Sequence, residues 1–311
     1  MGILFLILRN LNMAKILITG SSGFFGRNIS EFLQKHHSVI GLSRTNSDIK
    51  SDLKSECPKL DNDIDYVIHA AGKAHIVPKT EEQKLEFFDI NVTGTKNLLK
   101  ALEGKKIKSF IFISTVAVYG LETGTNIKEN YPLNGDTPYA MSKIEAEEIT
   151  RKWSKKKKIP LLILRLPLIV GDNPPGNLGA MIKAIKKGYY FSVNKGRARR
   201  SMVMVADIAK FIGDNFEKSG IYNLTDDYDP TFHELEAVIT KQLGKKNVLN
   251  LPSWGIKYLG LIGDKLTILP INSNKIKKMS NDLTFDCSRA KKELNWTPSK
   301  VVDKLMLNYN D

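Results

Sequence analysis

Tyr139 and Lys143, in Tyr-Ala-Met-Ser-Lys, stand four residues apart, a spacing that puts two side chains on one face of a helix. An ammonium beside a phenol favours the phenolate, so a group with a pKa of about 10 becomes usable nearer neutral pH. That is a proton-transfer pair. Upstream, Ser114-Thr115 closes an apolar run and offers a hydroxyl that can hold the oxygen of a reacting group. Tyr-x-x-x-Lys by itself turns up on many amphipathic helices, so its chemistry depends on the elements placed around it.

The first of these elements is a phosphate cradle. Ala14–Thr19 is a short β-rich apolar run, followed without a gap by Gly20-Ser-Ser-Gly23-Phe24-Phe25-Gly26 and a helical pattern through Ile29, Phe32 and Leu33. Strand, glycine turn and helix bind a pyrophosphate because backbone N–H groups approach it and the helix N-terminus favours negative charge. The spacing is G-x-x-G-x-x-G, where the commonest dinucleotide fingerprint is G-x-G-x-x-G. Ser38–Ser43 reads as the second strand. No acidic residue stands at its end to bind the ribose 2′-hydroxyl of NAD; Ser43-Arg44 stands there. Arg44 suits a 2′-phosphate, so NADP(H) is expected over NAD(H).

The alternation continues. Asp65–Gly72 is a buried strand and turn, with Ala70, Ala71 and Gly72 small enough to let a cofactor lie close. Phe87–Leu102 is expected to form one helix carrying Asn91, Lys108–Ser114 another strand, then come the Tyr139 helix and the strand Ile159–Arg165. Strands alternating with helices of this length predict an α/β, Rossmann-like doubly wound parallel sheet with a smaller C-terminal substrate-binding lobe. Residues 13–171 plus 201–226 are assigned to the dinucleotide-binding domain, and 172–200 plus 227–311 to the substrate lobe.

Beyond Arg165 the character changes. Gly171–Asn177 is rich in breakers, Leu178–Lys187 is helical, and Asn194–Arg200 carries Arg197, Arg199 and Arg200. Three arginines in four positions fit a phosphate or diphosphate, because a guanidinium fork matches its oxygens. Thr231 is expected to cap a helix, and His233 reads as a surface residue. Trp254–Ile271 is apolar at roughly helical spacing; Pro270 and Asp264 interrupt it, so core or dimer packing is favoured, with a peripheral membrane contact left open.

Composition excludes several classes. The chain has 311 residues, is 42% hydrophobic and carries a net charge of +14, but nine of its 47 basic residues are Arg. The lysines are scattered, with Lys155–Lys158 the one dense run, and no cluster of arginine with aromatics marks a nucleic-acid site. A solvated lysine surface that attracts anionic metabolites is expected. Cys57 and Cys287 lack metal spacing, so no metal is expected and a cytoplasmic location fits. Met1–Arg9 is too short for a membrane span and lacks signal-peptide features; residues 1–12 are read as an upstream extension that the fold does not need.

Thr19-Gly-x-x-Gly-Phe-x-Gly26, Asp52-Leu53, His69-Ala-Ala-Gly72, Asn91 in Asn-Val-Thr-Gly-Thr, Ser114-Thr115 before Val118-Tyr-Gly120, and Tyr139-x-x-x-Lys143 together resemble the extended short-chain dehydrogenase/reductases, in that family's order. Within it the chain is most similar to the nucleotide-sugar epimerases and dehydratases. The resemblance implies that Gly20, Gly23, Phe24, Phe25 and Gly26 line the pyrophosphate and Asp52 and Leu53 the adenine. It places Ser43, Arg44, Ala70, Ala71, Gly72 and Asn91 along the rest of the cofactor. Thr115, Tyr139 and Lys143 are the implied catalytic set, with Thr in place of the usual Ser, and Tyr139 and Lys143 also meet the cofactor. Thr115, Asn177 and Arg200 are implied to bind a nucleotide-sugar substrate. Leu168 stands where epimerases of the UDP-glucose type carry Asn. The expected activity is reduction of a UDP-linked 4-keto sugar for surface polysaccharide. The alternative is a 4-epimerase with tightly bound NAD, and a non-catalytic dinucleotide sensor is the remote third. A homodimer is the family expectation.

Overall fold

Lys15–Thr19 (β1) is buried after its first residue, and Tyr66–His69 (β4) is buried throughout. Ser109–Thr115 (β5) and Leu161–Leu166 (β7) are each buried in all but one terminal residue. Strands covered on both faces belong in the middle of a parallel sheet. Together with Ser38–Ser43 (β2), Ile49–Lys50 (β3) and Gly220–Asn223 (β11), they form a seven-stranded sheet of order β11-β7-β5-β4-β1-β2-β3, strands being numbered along the chain. The pairs β3–β2, β2–β1, β1–β4, β4–β5 and β5–β7 are all parallel. Parallel neighbours need crossovers, and helices supply them: Phe24–Leu33 (α1), Glu81–Phe88 (α2), Gly94–Ala101 (α3) and Pro138–Lys157 (α4). The direction of winding reverses between β1 and β4, which opens a crevice at their carboxyl ends. The computed structural model describes residues 13–61, 63–74, 76–246, 248–251 and 273–307.

Leu17, Val67, Phe110, Phe112 and Ile163 from the sheet pack with Leu98, Leu99, Ala146 and Trp153 from the helices. Each large side chain so buried contributes about 1.5–3 kcal/mol, which holds the strand ends in fixed relation to one another. The single helix expected over 87–102 is broken: α2 ends at Phe88, Asp89–Thr93 forms a π turn, and α3 begins at Gly94. The wide turn puts Asn91 inward, buried beside the turn that follows β4.

The chain divides into two compact units. The first takes in the chain up to Gly120, Leu133–Leu166 and Val205–Tyr222; the second has Leu121–Pro132, Pro167–Met204 and the chain from Asn223 on. The sequence boundaries differ from these at 121–132, 167–171, 201–204 and 223–226, all of which go with the second unit. Pairing explains much of this. Gly124–Ile127 (β6) joins Leu283–Phe285 (β13), and Leu168–Val170 (β8) joins Met202–Met204 (β10). Phe191–Val193 (β9) and Leu249–Leu251 (β12) make a third small pair. Gly176–Lys187 (α5) and Phe232–Gln242 (α7) pack around Val170, Met202 and Val301. Thr231 caps α7 as expected, in a capping box with Glu234. In the first unit, Val205–Asp214 (α6) packs on α1. Residues 1–12 and Trp254–Ile271 lie outside the described residues. Among those described, no helix is long and apolar enough to cross a membrane.

Candidate active site

β1 delivers the chain to Gly20, whose φ of +71° is open to glycine at little cost. Space is as tight as the backbone is special. A Cβ on Gly20 would stand 2.8 Å from the Ala71 backbone, and one on Gly26 would stand 2.2 Å from the Gly20 carbonyl oxygen. The glycine turn, the start of α1 and the Ala70–Gly72 turn are therefore packed backbone to backbone. α1 has Gly23 as its N-cap, no side-chain capping bond and no acidic residue in its first turn, so its N-terminal N–H groups and dipole are available to an anion. Ser21 Oγ in the same turn is buried with no partner among the described residues. Phe24 and Phe25, in the first turn of α1, are half-buried. A dinucleotide pyrophosphate fits this cradle.

Beneath it runs a buried chain of hydrogen bonds. Thr19 Oγ1 lies 2.6 Å from His69 Nδ1, and Thr95 Oγ1 lies 2.9 Å from His69 Nε2. Thr95 donates onward to the Asn91 carbonyl at 2.6 Å, and Thr19 Oγ1 accepts the Ala71 N–H at 3.1 Å. With the Thr95 proton committed, His69 is a neutral ring carrying its proton on Nε2, an assignment made from the network. Burial above all, then the nearby charge of Lys143, pushes its pKa down to about 3. Asn91, expected along the cofactor, has its amide engaged within the protein. Oδ1 accepts the Lys73 N–H at 2.7 Å, and Nδ2 donates to Ser142 Oγ at 2.8 Å. It therefore ties the turn after β4 to α4.

Tyr139 sits in the first turn of α4, which opens with Thr137 as N-cap and Pro138 just inside, the favoured order for a helix start. Its half-buried phenol meets the side chain of Thr115, the last residue of β5. Burial pushes the phenol pKa up, and the hydrogen bond with Thr115 pulls it back. Lys143, one turn on, is buried; its Nζ donates to the Ile113 carbonyl at 2.6 Å and lies 4.4 Å from the Phe112 ring centroid. Burial lowers its pKa to about 8, against the opposing pull of Glu147. The three candidate catalytic residues thus come from neighbouring ends of β5 and α4.

Sequence reasoning passed over Glu147 and Arg165. Both side chains are 3% exposed and joined in a bidentate pair, Nε to Oε1 at 3.1 Å and Nη2 to Oε2 at 2.8 Å. Ser114 donates to Glu147, and Arg165 Nη1 donates to the Tyr119 hydroxyl at 3.2 Å. The available signal was a lone arginine in Leu-Leu-Ile-Leu-Arg-Leu, with a glutamate one helical turn after Lys143.

At the end of β2, Ser43 is buried, with its hydroxyl donating to the Thr45 carbonyl at 2.5 Å, while Arg44 is exposed. Asp52 is half-buried at the head of a turn and Leu53 lies in the core. In the second unit, Asn177 is exposed in the first turn of α5. Arg200 is half-buried; its Nη1 has no partner among the described residues, and its Nη2 donates to the Lys278 carbonyl. Burial pushes its pKa down to about 10, against the opposing pull of Asp282. Arg199 instead donates to the Asp229 carbonyl at 2.9 Å. His233 is exposed, as expected. Among the described residues no cluster of His, Cys, Asp and Glu could hold a metal.

The profile of the NAD dependent epimerase/dehydratase family matches residues 16–224. The chain belongs to this family and is an enzyme of it. It is 29% identical to the N-acetyl-alpha-D-glucosaminyl-diphospho-ditrans,octacis-undecaprenol 4-epimerase of Escherichia coli O157:H7, over 88% of each chain. To the UDP-glucose 4-epimerase of Vibrio cholerae it is 26% identical, over 93% of this chain and 92% of that one. The UDP-glucose 4-epimerase of Bifidobacterium longum, solved with NAD+ and UDP, superposes with a TM-score of 0.72 at 24% identity, covering 94% of this chain and 96% of that one; this likeness shows the fold. The family is described by NAD, and the preference for NADP(H) drawn from Ser43-Arg44 finds no support. The comparisons also favour an epimerase over the expected 4-ketoreductase.

Proposed function

We propose that the protein is an NAD-dependent 4-epimerase of a sugar joined to a diphosphate. The observation that carries the chemistry is the Tyr139 phenol beside the Thr115 side chain, with the Lys143 ammonium buried one helical turn away. The relatives favour the epimerase, since two of them, matched over 88% and 92% of their own length, are 4-epimerases of sugar diphosphates. Bound NAD would supply the hydride acceptor at one sugar carbon and return the hydride to it; Gly20, Gly23, Gly26 and the N-terminus of α1 would hold its pyrophosphate. The chain's own groups manage the proton. Tyr139 takes it from the C4 hydroxyl and gives it back after the ketone has turned over, Thr115 fixes that oxygen, and the Lys143 charge stabilises the phenolate. Arg200, with its unpartnered Nη1, receives the diphosphate, and Asn177 lies at a helix start suited to the same anion.

The 4-ketoreductase stays as the second reading because β2 ends in Ser43-Arg44 and Leu168 replaces the epimerase Asn. The test is to incubate the purified protein, without added cofactor, with UDP-N-acetylglucosamine or with N-acetylglucosaminyl-diphospho-undecaprenol and analyse the sugar. C4 epimerisation in either arm is expected, and the productive arm identifies the carrier. Tyr139→Phe should lower kcat by about 10²–10⁴-fold without unfolding the protein. Steady NADPH consumption with a UDP-4-keto sugar, and no epimerisation, would overturn the reading.

A further inference from the structure

An NAD site in this fold usually presents a carboxylate to the adenosine ribose from the end of β2, and here Ser43 and Arg44 occupy that end. A carboxylate reaches the same edge by another route. The turn after β2 folds Asp48 back along the strand, where Oδ2 accepts the Gly41 N–H at 2.7 Å. Its other oxygen has no partner among the described residues. Gly41 lies two residues before Ser43 and therefore on the same face of the strand, and it leaves that face bare. A Cβ on it would stand 2.7 Å from Ser21 Oγ and 3.4 Å from Asp48 Oδ2. The hydroxyl of the glycine turn and the carboxylate thus both lie close against the Gly41 backbone.

Ser21, Gly41 and Asp48 belong to the lining of a cavity of about 420 Å³ that Arg27, Ser30 and Glu31 also line, among others. Ser21 and Ser30 both bury hydroxyl oxygens with no partner among the described residues. We propose that Asp48 binds the adenosine ribose hydroxyls of NAD, replacing the acidic residue absent from the end of β2, and that it sets the preference for NAD over NADP. A ribose hydroxyl donates to a carboxylate. A 2′-phosphate, at about −1.5 to −2 charge, is repelled by it; in the lining Glu31 adds to that repulsion and Arg27 opposes it, and Arg44 stands exposed at the end of β2. This assignment rests on the NAD part of the proposed function.

The test measures bound nucleotide and not turnover. The protein is equilibrated with equal excess NAD and NADP, freed of unbound nucleotide and denatured, and the released nucleotides are quantified. Wild type should release NAD over NADP by tenfold or more. Asp48→Asn keeps an amide oxygen for the Gly41 N–H, so the turn stays braced, and it should cut that ratio about tenfold or reverse it. If both nucleotides fall together in Asp48→Asn, or the ratio stays unchanged, Asp48 is only a brace and the proposal fails while the NAD reading stands. If wild type takes NADP preferentially, Arg27 and Arg44 dominate and the proposal is overturned. If it holds neither dinucleotide, the NAD reading itself fails, and this proposal with it.

Discussion

His69 is held by Thr19 on one ring nitrogen and Thr95 on the other, and its pKa of about 3 has a direct consequence for stability. In the unfolded chain a histidine titrates near 6.5. Below that pH the unfolded chain binds a proton that the folded one refuses, so stability present above pH 6.5 is lost as the pH falls toward 3. The slope is at most about 1.4 kcal/mol per pH unit. Denaturant unfolding at pH 7, 6 and 5 should show this slope reduced in His69→Gln; equal slopes would refute the assignment. Lys143 has the same sign in a higher pH window. Its folded pKa of about 8 lies below the ordinary 10.5, so the unfolded chain holds more protons between these values and stability rises with pH through that window. Its ammonium is lost over the same range, so kcat/KM should fall on an alkaline limb near pH 8, and a flat profile to pH 10 would count against Lys143. Tyr139, Lys143, Thr115 and the glycines were legible because each falls in a motif set by neighbours. Asp48 was not, because its approach to β2 is created by the turn and leaves no mark in residue spacing.

Between elements, the Glu147–Arg165 pair clamps α4 to β7. Breaking one side of a buried pair costs about 3–5 kcal/mol, while replacing both with apolar groups of similar volume is far milder. Arg165→Met should therefore destabilise strongly, and Glu147→Gln with Arg165→Met should recover much of the loss in thermal melting. Glu147→Gln alone also removes the carboxylate that raises the Lys143 pKa, so the alkaline limb should move to lower pH. An unmoved limb would confine Glu147 to packing. The main strands were readable to within a residue or two because apolar runs end in turn residues. The π turn at Asp89–Thr93 was not, since it uses the same residue types as the helices beside it. The small pairs β6–β13, β8–β10 and β9–β12 are three or four residues per strand, too short to show a period. Their pairing moved the unit boundaries.

For the whole molecule, a net charge of +14 would draw the proposed anionic diphosphate substrate, and salt screens such an attraction over about 10 Å at 0.1 M. Raising the salt from 0.05 to 0.5 M should lower kcat/KM severalfold and leave kcat nearly unchanged; salt-independent kcat/KM would show that the lysines serve solubility alone. The order of strands in the sheet also matters to a chain still being made. β7, Leu-Leu-Ile-Leu-Arg-Leu, borders β5 on one side and β11 on the other, and β11 is synthesised roughly fifty residues later, which takes several seconds at ordinary rates. Through that interval the nascent sheet has an apolar edge with unpaired N–H and C=O groups, a ready template for a neighbouring chain. Stalled translation or truncation between Leu166 and Gly220 should therefore yield aggregates, and chaperone demand should fall once β11 leaves the ribosome.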